Sequence, residues 1–268
     1  MVKIPGIVKD GEPTTFEEVI EKINPDKETL YNLSVQPDDG PIVMLNLIRF
    51  KPRGDNTIYS LYGKEADPQV RKTGSFILYY GEVITYLDSA LGFDTSWDGI
   101  VLPVYSRRKS FLELQNNPIY QKAIPYRVAG TYARLLYVIG DSDTMLEDLL
   151  CIKEYYDSKE SFNAIEGEIY IAELLRFRED NGRQLFSNYL RHRTPLIETA
   201  GAKHVLSRAA ETPIVSEQVW DHLLLTRFPS LDSILALYKS EEWNELNSNR
   251  LKSLEDCIVV ATKAIPLP

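Results

Sequence analysis

The chain contains two copies of one sequence pattern, and this duplication constrains the fold more than any other feature. Leu47-Ile48-Arg49-Phe50 reappears 127 residues later as Leu174-Leu175-Arg176-Phe177. Farther along, Trp97-Asp98 matches Trp220-Asp221 at an offset of 123 residues. An ordered series of matches with small gaps indicates a tandem repeat, which has to be recognised before either copy is interpreted.

Both copies show the same order of elements, β-α-β-β-α-β. Apolar β-rich runs, stretches with helical spacing of apolar residues and turn residues between them predict this order. Ser106 and Ser230 are predicted helix N-caps, and Pro68 and Pro195 are expected to interrupt the first helix of each copy. The predicted strands are 41–50, 82–88, 97–105, 132–139, 168–177, 202–208, 218–228 and 257–264, and the predicted helices are 58–80, 107–122, 183–200 and 231–248.

This order predicts an α+β fold made of two fused ferredoxin-like βαββαβ repeats. Each sheet has helices on one face only, so its other apolar face needs a partner, which the second copy supplies. We therefore expect one intramolecular, pseudo-dimeric α+β barrel. The predicted divisions are an N-terminal helix and lead-in segment (1–40), a first barrel half (41–140), a helical connector (141–167) and a second half (168–268).

Composition excludes several classes of protein. The 268 residues carry 39 acidic and 30 basic side chains, a net charge of −9, which argues against nucleic-acid binding. Two cysteines cannot form a disulfide framework. The first residues form no apolar leader, and no run reaches the 18 apolar residues of a membrane span. We expect a cytoplasmic protein, a monomer or homodimer with no nucleic-acid or membrane partner.

The sequence of the first predicted strand of the first copy resembles that of a known protein family. Pro41-Ile42-Val43-Met44-Leu45-Asn46-Leu47-Ile48-Arg49-Phe50, followed by Tyr59-x-x-Tyr62, is similar to the start of the domain-of-unknown-function family thirteen-thirty. Phe228-Pro229-Ser230, Tyr238-x-Ser240 and Trp243 continue the resemblance in the second copy. The resemblance implies the dimeric α+β barrel superfamily, which includes cofactor-independent monooxygenases, isomerases and haem-dependent enzymes. Pro103 departs from the pattern and predicts an edge or a bulge.

Two polar residues at equivalent positions stand in the middle of apolar strands. Asn46 and Glu173 lie on the strand face that also carries Met44 and Ile171. A buried polar group is costly unless it is hydrogen-bonded. We expect the pair either to project into a cavity inside the barrel or to make structural hydrogen bonds to a neighbouring strand or helix end.

Arginine, tryptophan and tyrosine residues at recurring positions are candidate ligand contacts. Arg49 and Arg176 could bind an anionic substrate through paired hydrogen bonds, or could pair with the recurring residues Asp98 and Asp221. A flat ligand could stack on three aromatic residues, Trp97, Trp220 and Tyr189. Aromatic residues at helical spacing are, however, more often part of the core.

All three histidines lie in the second copy, which makes that half the favoured location of the site. His204 and His222 lie on adjacent predicted strands and are expected to point into one space, whereas His192 is a candidate surface residue. A histidine near neutral pKa can act as a general base. Glu173 and His222 are therefore the candidate catalytic residues.

Strong catalytic motifs are missing from the sequence, among them HExxH, GxGxxG and GxSxG. We therefore expect no metal and no cofactor. The leading hypothesis is a cavity between the two sheets that binds a hydrophobic or aromatic metabolite, in a cofactor-independent isomerase, cyclase or monooxygenase. The alternative is a binding or assembly module whose barrel interior is packed solid. A haem-binding barrel is a third reading.

Overall fold

The computed structural model describes residues 23–51, 55–87, 97–140, 149, 167–216 and 218–265. These residues form eight strands and seven helices within those ranges. In chain order they are α1 (Lys27–Ser34), β1 (Ile42–Phe50), α2 (Asp55–Lys72), β2 (Phe76–Tyr86), β3 (Gly99–Tyr105), α3 (Arg108–Gln115), α4 (Pro118–Gly130), β4 (Thr131–Ile139), β5 (Ile169–Phe177), α5 (Gly182–Thr199), β6 (Lys203–Val215), β7 (His222–Phe228), α6 (Leu231–Tyr238), α7 (Glu241–Ser253) and β8 (Leu254–Ala264).

The eight strands close into one antiparallel barrel with the order β1-β3-β2-β8-β5-β7-β6-β4. Each copy contributes four adjacent strands, and the copies meet where β2 pairs with β8 and β4 pairs with β6. The predicted α+β class and the fused pseudo-dimeric barrel are confirmed. Closure pairs every strand on both sides, so neither half leaves an open sheet edge.

Equivalent positions in the two halves follow from the strand registers. Asn46 lies opposite Val101 on β3 and Leu136 on β4, and Glu173 lies opposite Leu224 on β7 and Val259 on β8. The sequence offset between the copies is therefore also the structural equivalence. A residue in one half can therefore be compared with the residue at the equivalent position of the other half.

Several local predictions need correction. Pro68 and Pro195 lie inside continuous helices, because tertiary packing retains a helix despite the lost backbone donor. The predicted second helix of each copy is two consecutive helices, α3 with α4 and α6 with α7. The N-cap of α3 is Arg107 and not Ser106, whereas Ser230 caps α6 in a capping box.

A predicted bulge is present, and two predicted helices cannot be compared with the structure. The register of β2 against β3 shifts between Ile77 and Tyr79, opposite Pro103. This bulge accommodates a residue that has no backbone donor. The helix expected near 15–24 lies almost entirely outside the described residues, and so does the connector helix, apart from residue 149.

The space between the two sheets is packed with apolar side chains from both halves. Val43, Leu45 and Leu47 of β1 are at most 2% exposed and meet Tyr170 and Leu225 of the second half. Odd-numbered residues of β1 face this interior, whereas Met44, Asn46 and Ile48 face the helices outside the barrel. For the described residues this interior is an apolar cluster, and the cavity expected between the sheets stays a prediction.

Among the described residues, no helix combines the length and the apolar character that crossing a membrane requires.

Candidate functional site

A cavity lies in the first half between the barrel sheet and the outer helices. Its floor comes from β1, β2, β3 and β4, and its roof from α2, α3 and α4. The described lining residues are mostly aromatic or aliphatic, with a few polar groups: Met44, Asn46, Tyr59, Tyr62, Gly63, Ala66, Asp67, Val70, Ile77, Tyr80, Val101, Pro103, Tyr105, Phe111, Tyr120, Arg134 and Leu136.

The cavity is large enough for a small ligand. The centre of a water molecule can occupy about 70 Å³ of it, whereas one bound water needs roughly 10–15 Å³ on this measure. Gly63, Asp67 and Ile77 in its wall are only half-buried. An apolar, aromatic-lined pocket with a few convergent polar groups is typical of small-molecule sites.

Asn46 and Arg134 form the polar floor of the cavity. Arg134 Nε donates to Asn46 Oδ1 at 3.0 Å, and Arg134 Nη2 donates to the same oxygen. Arg134 Nη1 donates to the Ile23 carbonyl at 3.1 Å, and the Asn46 amide donates to the Met44 carbonyl at 3.0 Å. Burial and the nearby Arg127 both lower the pKa of Arg134.

A second polar cluster lies between α2 and α4. The hydroxyl groups of Tyr62 and Tyr120 share a hydrogen bond of 2.8 Å. Arg127 Nη1 donates to both, at 3.1 Å to Tyr62 and 3.0 Å to Tyr120, and Arg127 Nη2 donates to Asn24. Arg127 is 1% exposed, so this cluster is held in a dry environment.

The cavity tyrosines differ in acidity. Burial raises the pKa of Tyr80 to about 12 and also raises the pKa values of Tyr59 and Tyr62. Burial acts in the same direction on Tyr120, but the positive charges of Arg127 and Arg134 and the hydrogen bond from Tyr62 outweigh it, so the pKa of Tyr120 is lowered. Tyr120 is therefore the cavity tyrosine best suited to proton transfer.

The equivalent region of the second half contains a buried ion-pair cluster. Arg193 Nη1 lies 2.6 Å from Glu173 Oε1, and Arg250 Nε lies 3.3 Å from Glu173 Oε2. Burial raises the pKa of Glu173, but the two guanidinium groups more than offset this, so the pKa lies below its usual value. Glu173 therefore lies between the sheet and the helices, where it lines a pocket with Tyr238 and Trp243, and its two arginine neighbours hold it ionised.

One pair of equivalent residues explains why the two halves differ. Tyr62 of α2 corresponds to Tyr189 of α5, and one helical turn later Ala66 corresponds to Arg193. Ala66 leaves space beneath α2, whereas the Arg193 side chain is fully buried and fills the space beneath α5. The aromatic cavity beside Asn46 therefore lies in the first half, whereas in the second half Glu173 and Arg250 line a separate pocket with Tyr238 and Trp243.

The two strand histidines do not converge. His204 lies beside Thr226 and His222 beside Ala209, toward opposite ends of the β6–β7 ladder. Four residues of strand, about 13 Å, separate Thr226 from His222. His204 Nδ1 is 3.0 Å from Thr226 Oγ1, and His222 Nε2 is 2.8 Å from Ser207 Oγ. His192 is exposed, as expected of a surface residue.

His204 predicts a measurable pH dependence of stability. Burial, and then Arg193, lower its pKa from 6.5 to about 4. The unfolded chain therefore binds a proton that the folded chain resists, and stability is lost as pH falls from 6.5 to 4. Ile77 lies opposite Pro103 at the first-half position that corresponds to His204 opposite Thr226. We expect His204→Ile, which introduces this non-titrating residue, to reduce the loss by about 2 kcal/mol.

Urea titrations of wild type and variant at pH 7 and 4.5 measure this effect. Burial raises the pKa of Asp256 to about 6, which acts in the opposite direction in the same pH range. The difference between the two proteins removes that contribution. Equal pH dependence in both proteins would show that His204 is not protected from protonation in the folded state.

The recurring arginines, Arg49 and Arg176, do not pair with the recurring aspartates, which was one of their two expected arrangements. Asp98 Oδ2 accepts a hydrogen bond from the Phe50 amide, and Asp221 Oδ2 accepts one from the Phe177 amide, both at 2.7 Å. The same geometry therefore recurs in both halves and anchors the end of the first strand of each half. Arg49 lies over the Tyr132 ring at 5.0 Å, and Arg176 lines a groove at the end of β5.

The remaining aromatic candidates are packed residues in the described structure. Trp97 and Trp220 are each 2% exposed and belong to the barrel interior, although their indole nitrogens lack a hydrogen-bond partner there. Tyr189 is 2% exposed and packs against Phe186 at 5.5 Å. The structure brings Asn46 alone of the nine candidates into the first-half cavity, as far as the described residues show.

Sequence reasoning missed most residues of this cavity. Arg134 is a charged residue within the apolar strand 132–139, and this is the same signal that identified Asn46 and Glu173. The contrast of Ala66 with Arg193 is visible at the repeat offset. Asp67 also lines the cavity, and its buried Oδ1 has no hydrogen-bond partner, whereas its Oδ2 pairs with Arg71 at 2.6 Å.

Among the described residues, no group of three or more histidine, cysteine, aspartate or glutamate side chains is arranged to hold a metal ion.

Comparisons with known proteins support the fold. No protein-family model and no curated protein matches the chain. An anthrone oxidase-like protein of known structure has 8% identity over 86% of this chain and 93% of its own, with a TM-score of 0.54. A protein proposed to be a monooxygenase, from Fusobacterium nucleatum, has 8% identity over 85% of this chain and 94% of its own, with a TM-score of 0.51.

A protein of unknown function from Rhodopseudomonas palustris is 26% identical to this chain. The match covers 43% of this chain and 93% of that protein, with a TM-score of 0.38. The likenesses over most of the chain support the fold, an α+β barrel with both halves in one polypeptide. At 8% identity they carry the fold alone, and fold does not determine function.

Proposed function

We propose that the chain binds a small aromatic or largely apolar metabolite in the first-half cavity. One observation supports this location above others: Ala66 leaves open, in the first half, the space that Arg193 fills in the second. Aromatic walls and a polar floor formed by Asn46 and Arg134 suit a flat molecule with one polar end. The cytoplasmic location, and a monomer or homodimer as the assembly, belong to the same proposal.

Cofactor-independent proton transfer is the chemistry we propose for this cavity. Asp67 Oδ1 accepts a proton from an acidic C–H of the ligand, and the charge that develops on the ligand oxygen is stabilised by Arg134. Asp67 then returns the proton to another carbon of the ligand, while the Tyr120 hydroxyl donates a hydrogen bond to the ligand oxygen. Isomerisation or cyclisation follows from these steps without a redox partner. Oxygenation would need molecular oxygen to accept electrons from the ligand carbanion.

The catalytic roles expected of Glu173 and His222 stay predictions. Neither residue lines the first-half cavity, and the surroundings of Glu173 favour a structural role. The resemblance of the halves to the domain-of-unknown-function family thirteen-thirty also stays a prediction.

Filling the cavity tests the proposal. Ala66→Phe places a ring where the ligand would lie, so a small molecule retained by gently purified wild-type protein is expected to be lost. Native mass spectrometry, compared with the denatured mass, measures this. Leu61→Phe is the matched control, because Leu61 lies on the same helix and is 43% exposed. Retention by Ala66→Phe would place the ligand elsewhere.

The packed barrel interior supports a second candidate, a non-catalytic assembly module. A module of this kind needs no ligand in the cavity. It predicts an empty wild-type protein and normal folding of Ala66→Phe. A haem-binding barrel is a weaker candidate, because no histidine is found among the described residues that line the cavity.

A further inference from the structure

The first half buries two arginines among neutral partners. Arg127 and Arg134 are 1% and 6% exposed. Their hydrogen bonds go to tyrosine hydroxyls, asparagine side-chain oxygens and one backbone carbonyl: Tyr62, Tyr120, Asn24, Asn46 and Ile23. Within the described part of the chain, neither arginine forms an ion pair with a carboxylate.

The second half neutralises its buried arginines with its own carboxylate. Glu173 lies between Arg193 and Arg250, and Arg250 corresponds to Arg127 near the end of the equivalent helix. The strand registers place Glu173 at the position of Asn46. The second half therefore has a carboxylate at this position, whereas the first half has a neutral amide beside its cavity.

Burying guanidinium groups without a counter-charge is unfavourable, because the interior solvates charge far less than water does. Asn46 contributes only a carbonyl dipole. The one carboxylate among the described lining residues is Asp67, whose Oδ2 already pairs with Arg71. As far as the described residues go, the two first-half arginines thus have no carboxylate partner next to an open space.

Arg134 keeps donors for a further partner. A guanidinium has five N–H groups, and the hydrogen bonds to Asn46 and Ile23 use three of them. The side chain lines the cavity. Its remaining donors can bind a planar oxyanion through paired hydrogen bonds, the geometry that guanidinium groups favour.

We propose that the ligand of the first-half cavity carries a carboxylate or a comparable planar oxyanion, which takes beside Arg134 the place that Glu173 takes beside Arg193 and Arg250. This inference rests on the proposed function and adds the charge of the ligand to it. The ligand is then a small aromatic or apolar acid.

Matched acids and amides test the charge directly. Acetate and benzoate are compared with acetamide and benzamide, at equal ionic strength and neutral pH, by titration calorimetry and thermal denaturation. We expect the better-fitting acid to bind at least tenfold more tightly than its amide. The acid should raise the melting temperature of wild type more than the amide does at the same concentration.

Substitution of Asn46 separates charge from shape. Asn46→Glu introduces the residue of the second half and supplies an internal carboxylate, whereas Asn46→Gln has the same length without the charge. We expect Asn46→Glu to abolish the preference for acid over amide. Asn46→Gln should keep that preference, even where both ligands bind more weakly than to wild type.

The outcomes distinguish the proposal of an anionic ligand from the proposal of a ligand-binding cavity. Equal binding of acid and amide by wild type, or an undiminished acid preference in Asn46→Glu, overturns the anionic ligand and leaves the cavity proposal standing. Failure of all four probes to bind wild type contradicts the cavity proposal as well. Should Asn46→Glu fail to fold, the acid and amide pairs on wild type and Asn46→Gln still decide the question.

Discussion

Replacing Glu173 with glutamine is expected to lower the free energy of unfolding by about 3–5 kcal/mol, which is the cost of breaking a buried ion pair from one side. The carboxylate is 3% exposed and lies between Arg193 and Arg250. Without its charge, the buried Arg193 guanidinium loses the carboxylate that lies 2.6 Å away. Urea denaturation of wild type and Glu173→Gln at pH 7 measures the loss.

A double variant provides the control for Glu173. Glu173→Asn together with Arg193→Ala recreates the pair that the first half has in Asn46 and Ala66. We expect it to cost less than the sum of the single changes, since residues in one ion pair are not additive. A loss below about 0.5 kcal/mol for Glu173→Gln, the range of ordinary surface changes, would contradict the structural role and restore Glu173 as a candidate base.

Truncating Leu45 is expected to cost about 3 kcal/mol, within the range of about 2–5 kcal/mol for a buried leucine. Leu45 is fully buried in the barrel interior, where side chains of both halves surround it. Leu45→Ala therefore removes contacts that hold the two halves together. Urea denaturation measures the cost, and native mass spectrometry follows the ligand.

Met44 supplies the matched comparison for Leu45. It is the preceding residue of β1, it is equally buried, and it lines the first-half cavity. We expect Met44→Ala to weaken ligand retention and Leu45→Ala to leave it unaltered. The reverse pattern would mean that the ligand lies between the sheets, and the assignment of the cavity to the outer face would be wrong.

The sequence alone predicted the architecture because repeats and strand alternation are local patterns. Matching Leu47–Phe50 with Leu174–Phe177 identifies the duplication, and each copy has too few elements to cover both faces of its sheet. A fused barrel follows from these two facts. Alternation also placed Asn46 correctly on the face of Met44.

Alternation could not show which face of each strand lies inside the barrel. Both faces of β1 are apolar and buried, one by the second sheet and one by the helices, so the pattern was the same for a lumen and for an outer cavity. The histidines pointed to the second half, but residue type carries no information on how neighbouring side chains fill space.

The sequence by itself determined the duplication, the element order, the α+β barrel and the position of Asn46 among buried residues. Only the tertiary structure decided that apolar side chains of both halves meet inside the barrel, that Arg193 lies where Ala66 leaves space in the first half, and that Arg134 and Tyr120 line the cavity. The reason is physical: secondary structure follows spacing along the chain, whereas a cavity depends on the volumes and charges of residues that are distant in sequence.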